Sequence, residues 1–267
     1  MNAPLGFHLD ASACIGCRTC VIACKSKNQL PVGRHYRRVV EYGGGSWIPD
    51  PDDPSLLAPS GIFAYCLSIA CMHCQDPACA SACIVGALSK NANGSVSYDV
   101  SKCIGCRYCM VACPFRMTRY EWESVTPRVR KCQFCPERVS EGKPTACAEA
   151  CPMEALTLGY RDELLRVARK RIREVPGRYH KEIYGEFEAG GTSWLYLSPV
   201  PFEQAGFDTR VPRQPILHYV KDFLAVVPMV LTIWPGLFAG IYLLAKSKNV
   251  SERTHSQEDK RNETIEQ

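Results

Sequence analysis

Cysteine spacing constrains this chain more than any other feature. Cys14, Cys17, Cys20 and Cys24 follow C-x2-C-x2-C-x3-C, and Cys103, Cys106, Cys109 and Cys113 repeat it. The segments CIGCRTCVIAC and CIGCRYCMVAC match at eight of eleven positions. Cys71, Cys74, Cys79 and Cys83 follow C-x2-C-x4-C-x3-C, and Cys132, Cys135, Cys147 and Cys151 follow C-x2-C-x11-C-x3-C. One unit thus recurs four times. It uses sixteen of the seventeen cysteines and leaves Cys66 over. An odd count excludes a monomer with every cysteine in a disulfide. No apolar signal segment opens the chain, since Met1-Asn2-Ala3-Pro4-Leu5 runs straight into Gly6-Phe7-His8. Metal ligation is the better reading of the sulfur.

Three thiolates in a tight C-x2-C-x2-C loop reach three irons of one cubane, because the chain wraps round it. The fourth, three residues on, starts a helix and points away; in two-cluster ferredoxins it ligates the other cluster. Gly16 and Gly105 suit the wrap, where a Cβ would crowd the cluster. Pro114 and Pro152 follow the fourth cysteine as in the bacterial ferredoxin run, whereas Lys25 and Ile84 replace that proline elsewhere. Zinc, the competing metal, fits a three-cysteine run poorly. The C-x3-C-x2-C triplet of radical-generating enzymes, which leaves one iron open, does not occur. Clusters capped entirely by thiolate are suited to one-electron transfer rather than substrate binding.

The pairing of the sets follows from what lies between them. Gly86-Ala87-Leu88, an Asn93-Gly94 turn and alternating Val96, Tyr98 and Val100 predict a hairpin joining the second and third sets within one ferredoxin-like module. The first and fourth sets then pair around it. The expected clusters are Cys14, Cys17, Cys20 with Cys151; Cys132, Cys135, Cys147 with Cys24; Cys71, Cys74, Cys79 with Cys113; and Cys103, Cys106, Cys109 with Cys83. Sequential pairing of the modules is the alternative. The expected fold is α+β: two fused, nested ferredoxin-like modules over residues 1–160, with an insertion at 34–65, and one transmembrane helix.

Beyond Cys151 the chemistry changes. Leu164, Leu165, Ala168 and Ile172 recur at helical spacing over 161–173, and Pro176-Gly177 ends the run. The net charge of +5 comes from Arg161 to Lys181, and the remainder is balanced. That is not the spread basic face of a nucleic-acid binder. The basic helix is read as a docking face for a partner subunit or anionic headgroups, or as a solvated surface. Residues 161–221 read as this helix and a wrapping connector containing a strand at Trp194–Leu197. Residues 222–246 contain 23 uncharged residues, Phe223 to Ala245, interrupted by Pro228 and Pro235. As a helix they span roughly 34 Å, enough for a bilayer core of about 30 Å. Residues 247–267 form a polar tail expected to be disordered. Lys and Arg are denser on the tail side of the span, which favours a cytoplasmic tail and a body on the outer, periplasmic face.

Several further residues invite functional readings. Cys66, in the β-like run Phe63–Ile69, is read as a buried structural thiol. His73 lies between two ligands of a set already complete, so solvent or a backbone partner is expected for it. His218 precedes the span and is read as an ordinary polar residue rather than a contact to a partner's haem. Arg18, Arg107, Arg116, Arg119 and Lys131 stand near ligands, where positive charge raises reduction potentials; surface pairing explains them equally well. The insertion holds a strand candidate, Tyr36 to Tyr42, and is read as a docking hairpin outside the line of clusters.

At these residues the chain resembles the four-cluster iron–sulfur subunits of membrane-associated respiratory oxidoreductases. GFHLDASACIGCRTCVIACK, RRVVEYGGGSW and FAYCLSIACMHCQDPAC are similar to the electron-transfer subunits of dimethyl sulfoxide reductase-type complexes. CIGCRYCMVACP through LYLSPVPF and the terminal span are similar to the beta subunits of membrane-bound formate dehydrogenase and nickel–iron hydrogenase. Some relatives replace one cysteine by tryptophan and hold a three-iron cluster; with all sixteen positions cysteine, the resemblance implies four [4Fe–4S] clusters. It also implies a non-catalytic relay between two partners. One is a catalytic subunit, a molybdenum or tungsten pterin enzyme or a nickel–iron hydrogenase; the other is an integral membrane subunit binding quinone or haem. The alternatives are a relay to a multihaem cytochrome, a free-standing iron–sulfur oxidoreductase, and a zinc interaction module. An outward-facing body with no twin-arginine segment is expected to travel with a signal-bearing partner.

Overall fold

The computed structural model describes residues 3–125 and 127–265. The first two residues of the N-terminal segment and the last two of the polar tail lie outside them. The chain divides into two units, Met1–Leu217 and His218–Gln267.

In chain order the elements are β1 (Leu5–Asp10), α1 (Thr19–Lys27), β2 (Arg37–Pro49), β3 (Leu57–Ala70), α2 (Ala78–Ser81), β4 (Leu88–Lys90), β5 (Val96–Tyr98), α3 (Tyr108–Val111), β6 (Arg119–Tyr120), β7 (Val129–Arg130), α4 (Pro136–Ser140), α5 (Ala146–Glu149), β8 (Leu156–Tyr160), α6 (Arg161–Glu174), β9 (Trp194–Leu197) and α7 (Ile216–Ile265).

The N-terminal strand is the hub of the first unit. β1 pairs antiparallel with β8, with Phe7 opposite Leu158, and parallel with β9, with Phe7 beside Trp194. The strand before the first cysteine set thus lies against the strand after the last. On one face Phe7, Leu9, Trp194 and Tyr196 join an aromatic core with Phe134, Tyr184 and Phe202. Phe7 stacks on Trp194 at 4.2 Å between ring centroids. Each such fully buried side chain contributes about 1.5–3 kcal/mol. On the other face Leu195 and Leu197 pack against Leu164, Leu165 and Ala168 of α6. The helix follows the predicted periodicity and is pinned to β1. Arg171 donates to Asp10 at 2.9 Å, and the Tyr179 hydroxyl donates to it at 2.7 Å.

Two expectations need correction here. β9 is not part of a surface-wrapping connector: all four residues are buried, two toward each side of the sheet. The β2–β3 hairpin is not wholly outside the cysteine body either. Arg37, Leu67, Ser68, Ile69 and Ala70 at its base are buried, whereas Trp47, Ile48, Leu56 and Leu57 at its tip are exposed. The predicted hairpin between the second and third cysteine sets is present as β4–β5, with Leu88 opposite Tyr98. α1 packs on α5, and α2 packs on α3.

The second unit is built on α7. Its segment Ile216–Lys248 is long and apolar enough to cross a membrane, its most apolar window having a mean hydropathy of 2.0, and Pro228 and Pro235 lie within the helix. The helix exceeds the predicted 222–246 at both ends. The tail, expected to be disordered, is helical through Ile265.

Candidate iron–sulfur centres

Each cysteine loop turns at the residue ahead of its second cysteine. Gly16, His73, Gly105 and Phe134 all have positive φ, between 47° and 72°. A second left-handed residue follows in three loops, Arg18, Arg107 and Cys135, from which α1, α3 and α4 start. This is the tight wrap expected from the spacing. The later cysteines of each motif lie on short helices or directly after them: Cys20 and Cys24 in α1, Cys79 in α2, Cys109 in α3 and Cys147 in α5.

The structure gathers the thiols into groups that cross between motifs. Cys14, Cys17, Cys20 and Cys151 line one cavity. Cys24, Cys132, Cys135 and Cys147 line a second. The Cys74 thiol is faced by those of Cys71, Cys79 and Cys113. Cys109 is faced by Cys83, Cys103 and Cys106.

These surroundings fit iron–sulfur clusters. Burial pushes the Cys24 thiol up to about 11 and Cys79 up to about 12. Free thiols here resist ionisation, and iron bound to them would draw them into the thiolate form. Donors are already aimed at the sulfurs. Ala87 N–H points to Cys83 Sγ at 3.2 Å, Thr19 Oγ1 to Cys17 Sγ at 3.3 Å, and Met117 N–H to Cys113 Sγ at 3.4 Å. Tyr120 Oη lies 2.9 Å from Cys109 Sγ. Hydrogen bonds to ligand sulfur stabilise the electron-rich reduced cluster.

The other residues singled out by the sequence fall in different places. Cys66 is half-exposed rather than buried, on β3 beside Gly16 and Cys14. His73 is fully buried, and Val96 N–H donates to its Nδ1 at 2.9 Å. Burial, with Lys131 and Lys90 nearby, holds it far below the usual histidine range. Lys131 is buried and donates to the carbonyls of Val96 and Cys132. Arg18 pairs with Glu41 at the surface, and Arg107 lies over the Trp122 ring. Arg116 is another left-handed residue, and Arg119 sits exposed on β6. His218 belongs to α7.

Sequence reasoning missed Arg37. Its side chain is buried and faces the thiols of Cys147, Cys132, Cys20 and Cys24. A signal existed: with Val39 facing inward, the period of two on β2 puts Arg37 on the same face.

Comparison with known proteins agrees with the geometry. Residues 62–161 match the family model of a 4Fe-4S dicluster domain. The sequence is 43% identical over 164 residues to the B subunit of the anaerobic dimethyl sulfoxide reductase of Escherichia coli K12, covering 61% of this protein and 77% of that one. It is 33% identical over 235 residues to the hydrogenase-2 operon protein HybA of Escherichia coli O157:H7, covering 74% and 71%. A protein of Nitratidesulfovibrio vulgaris is 42% identical over 247 residues, which span 90% of this protein and 66% of that one. The resemblance carried by the cysteine motifs is therefore borne out, and the protein belongs to the family of 4Fe–4S iron–sulfur subunits of respiratory oxidoreductases that includes the B subunit of dimethyl sulfoxide reductase.

Proposed function

We propose that this iron–sulfur electron-transfer subunit relays single electrons through four [4Fe–4S] clusters and performs no substrate chemistry of its own. The observation that carries the reading is that two cavities are each lined by four cysteines drawn from two motifs, with the charges nearest Cys74 and Cys109 following the same crossed pattern. In each set three ligands come from one motif and the fourth crosses from another. With four thiolates per cluster, no iron is left open for a substrate. The ligands are Cys14, Cys17, Cys20 and Cys151; Cys24, Cys132, Cys135 and Cys147; Cys71, Cys74, Cys79 and Cys113; and Cys83, Cys103, Cys106 and Cys109. Bound iron and sulfide supply the one-electron chemistry, and the chain supplies spacing, charge and exclusion of water.

The pairing of β1 with β8 and the β4–β5 hairpin support a nested arrangement of the two modules within residues 1–160. β9 then serves that domain from the following segment. The electrons pass between a catalytic subunit and an integral membrane subunit that binds quinone or haem. The relatives' names favour a dimethyl sulfoxide reductase-type or hydrogenase-type catalytic partner. The apolar part of α7 anchors the chain, with the body on the outer face and the tail in the cytoplasm.

Cysteine substitutions with electron paramagnetic resonance test the wiring. Cys113→Ser is expected to alter the same reduced-cluster signal as Cys74→Ser, and to leave unchanged the signal altered by Cys135→Ser. If Cys113→Ser instead perturbs the Cys135 signal, the nested pairing is wrong. Iron well below about sixteen atoms per chain in the intact complex would remove the four-cluster reading itself.

A further inference from the structure

We infer that the Arg37 guanidinium is a shared counter-charge for two neighbouring clusters, those of the Cys14 and Cys24 groups, and holds both reduction potentials up. The inference rests on the four-cluster reading above.

Arg37 is 2% exposed and lines the cavity of Cys24, Cys132, Cys135 and Cys147. Its Nη1 donates to Ser68 Oγ at 2.9 Å, and that oxygen lies 3.2 Å from Cys20 Sγ, in the other group. Ser68 itself lines the Cys14 cavity. One side chain therefore touches both cavities, one directly and the other through a hydroxyl. Its guanidinium carbon sits 4.4 Å from the Trp194 ring centroid, and Trp194 is fully buried and stacked on Phe7. The fork is thus packed against the ring.

What makes this arrangement informative is its missing counter-ion. Guanidinium stays protonated in proteins, and a buried, unpaired one is strongly disfavoured. Among the described residues the Nε of Arg37 has no partner, and the largest charges acting on its guanidinium are thiols rather than carboxylates. The groups facing it are sulfurs: Cys147, Cys132 and Cys24 from one group and Cys20 from the other. A thiolate-capped cluster is anionic in both redox states and gains one further negative charge on reduction. A fixed cation in this low-dielectric place stabilises the reduced state more than the oxidised one. Arginine suits the role better than lysine, because its planar fork both stacks and donates in several directions.

The test is a redox titration, followed by electron paramagnetic resonance, on the membrane-bound complex carrying Arg37→Gln or Arg37→Lys. Signals are assigned to the two groups by Cys20→Ser and Cys147→Ser. With Gln, both midpoints are expected to fall by about tenfold in electron affinity, or about 59 mV for one electron. The Cys74 and Cys106 groups should hold their midpoints, and Arg37→Lys should keep all four close to those of the unmodified chain. If Arg37→Gln fails to assemble, Arg37→His replaces it, and both midpoints must then fall more steeply with rising pH than in the unmodified chain. Unmoved midpoints in a variant with full iron content overturn the role of Arg37 and leave the four-cluster reading intact. Missing clusters in the unmodified chain would overturn that reading instead.

Discussion

The residue ahead of the second cysteine must turn left-handed in all four loops, and the chain meets that demand in two ways. Gly16 and Gly105 do it without a side chain. His73 and Phe134 do it against a steric cost of roughly 1–2 kcal/mol each. Both are buried, and their rings meet edge to face at 4.9 Å, so core packing offsets the strain. Gly16 is not free to follow them. A Cβ there would lie 2.6 Å from Cys66 Sγ, so the left-over cysteine, not the cluster alone, crowds the position. Gly16→Ala is expected to cost about 2–3 kcal/mol, from backbone strain and overpacking together. Cys66→Ala in the same chain should return the overpacking part and leave the backbone part. Chemical denaturation of the two single variants and the double variant checks this; additive effects would mean that Gly16 and Cys66 do not press on each other.

At the scale of elements, the long β2–β3 hairpin does two jobs along its length. Near its base Leu67 is fully buried in the main core, while beyond the irregularity at Gly44/Ser46 no side chain of the two strands is buried. Leu67→Ala is expected to cost about 2–5 kcal/mol and to lower iron content, since the cavity opens in the same core that holds Cys20. Replacing residues 46–60 with an Asn-Gly turn should change stability by no more than about 0.5 kcal/mol and leave iron content intact. Loss of iron on shortening the tip would show that it supports the clusters after all. What the sequence disclosed follows the same division. The cysteine loops, the β4–β5 hairpin with its Asn93-Gly94 turn, and amphipathic α6 each carry a local signal, and each was legible. Trp194–Leu197 was legible as a strand but not as the third strand of the central sheet. Burial on both faces erases the alternation that would mark a side, and its parallel partner lies far away in sequence. Arg37 escaped notice because a charged residue in a basic run reads as surface, and only tertiary pairing of β2 with β3 brings it beneath the sulfurs. The helical tail was missed because it lacks apolar periodicity, although residues such as Glu, Lys, Arg and Gln are good helix formers.

For the whole molecule, the two units ask for different solvents. The first has its own core, built on β1 and closed by α6, and contains every cysteine. The second exposes Phe223, Leu224, Leu231, Leu237, Phe238, Leu243 and Leu244 along α7, with none of its most apolar window buried. That much contiguous apolar surface is not stable in water, and a helix of 33 residues, at about 1.5 Å each, outspans a bilayer core of about 30 Å. Pro228 and Pro235 leave carbonyls without helical partners, a defect that a bilayer tolerates where neighbouring helices or local adjustment satisfy them. The separation predicts that a chain ending at Leu217, produced without partner subunits, folds and binds as much iron as the full chain. It should leave the membrane fraction on washing with alkaline carbonate, whereas the full chain should stay. A truncated chain that keeps its iron yet resists the wash would move the site of attachment to the first unit, with the basic outer face of α6 as the place to look. A truncated chain that loses its iron would mean that the cluster-bearing unit depends on α7 for its fold, contrary to a main core that closes within residues 5–207.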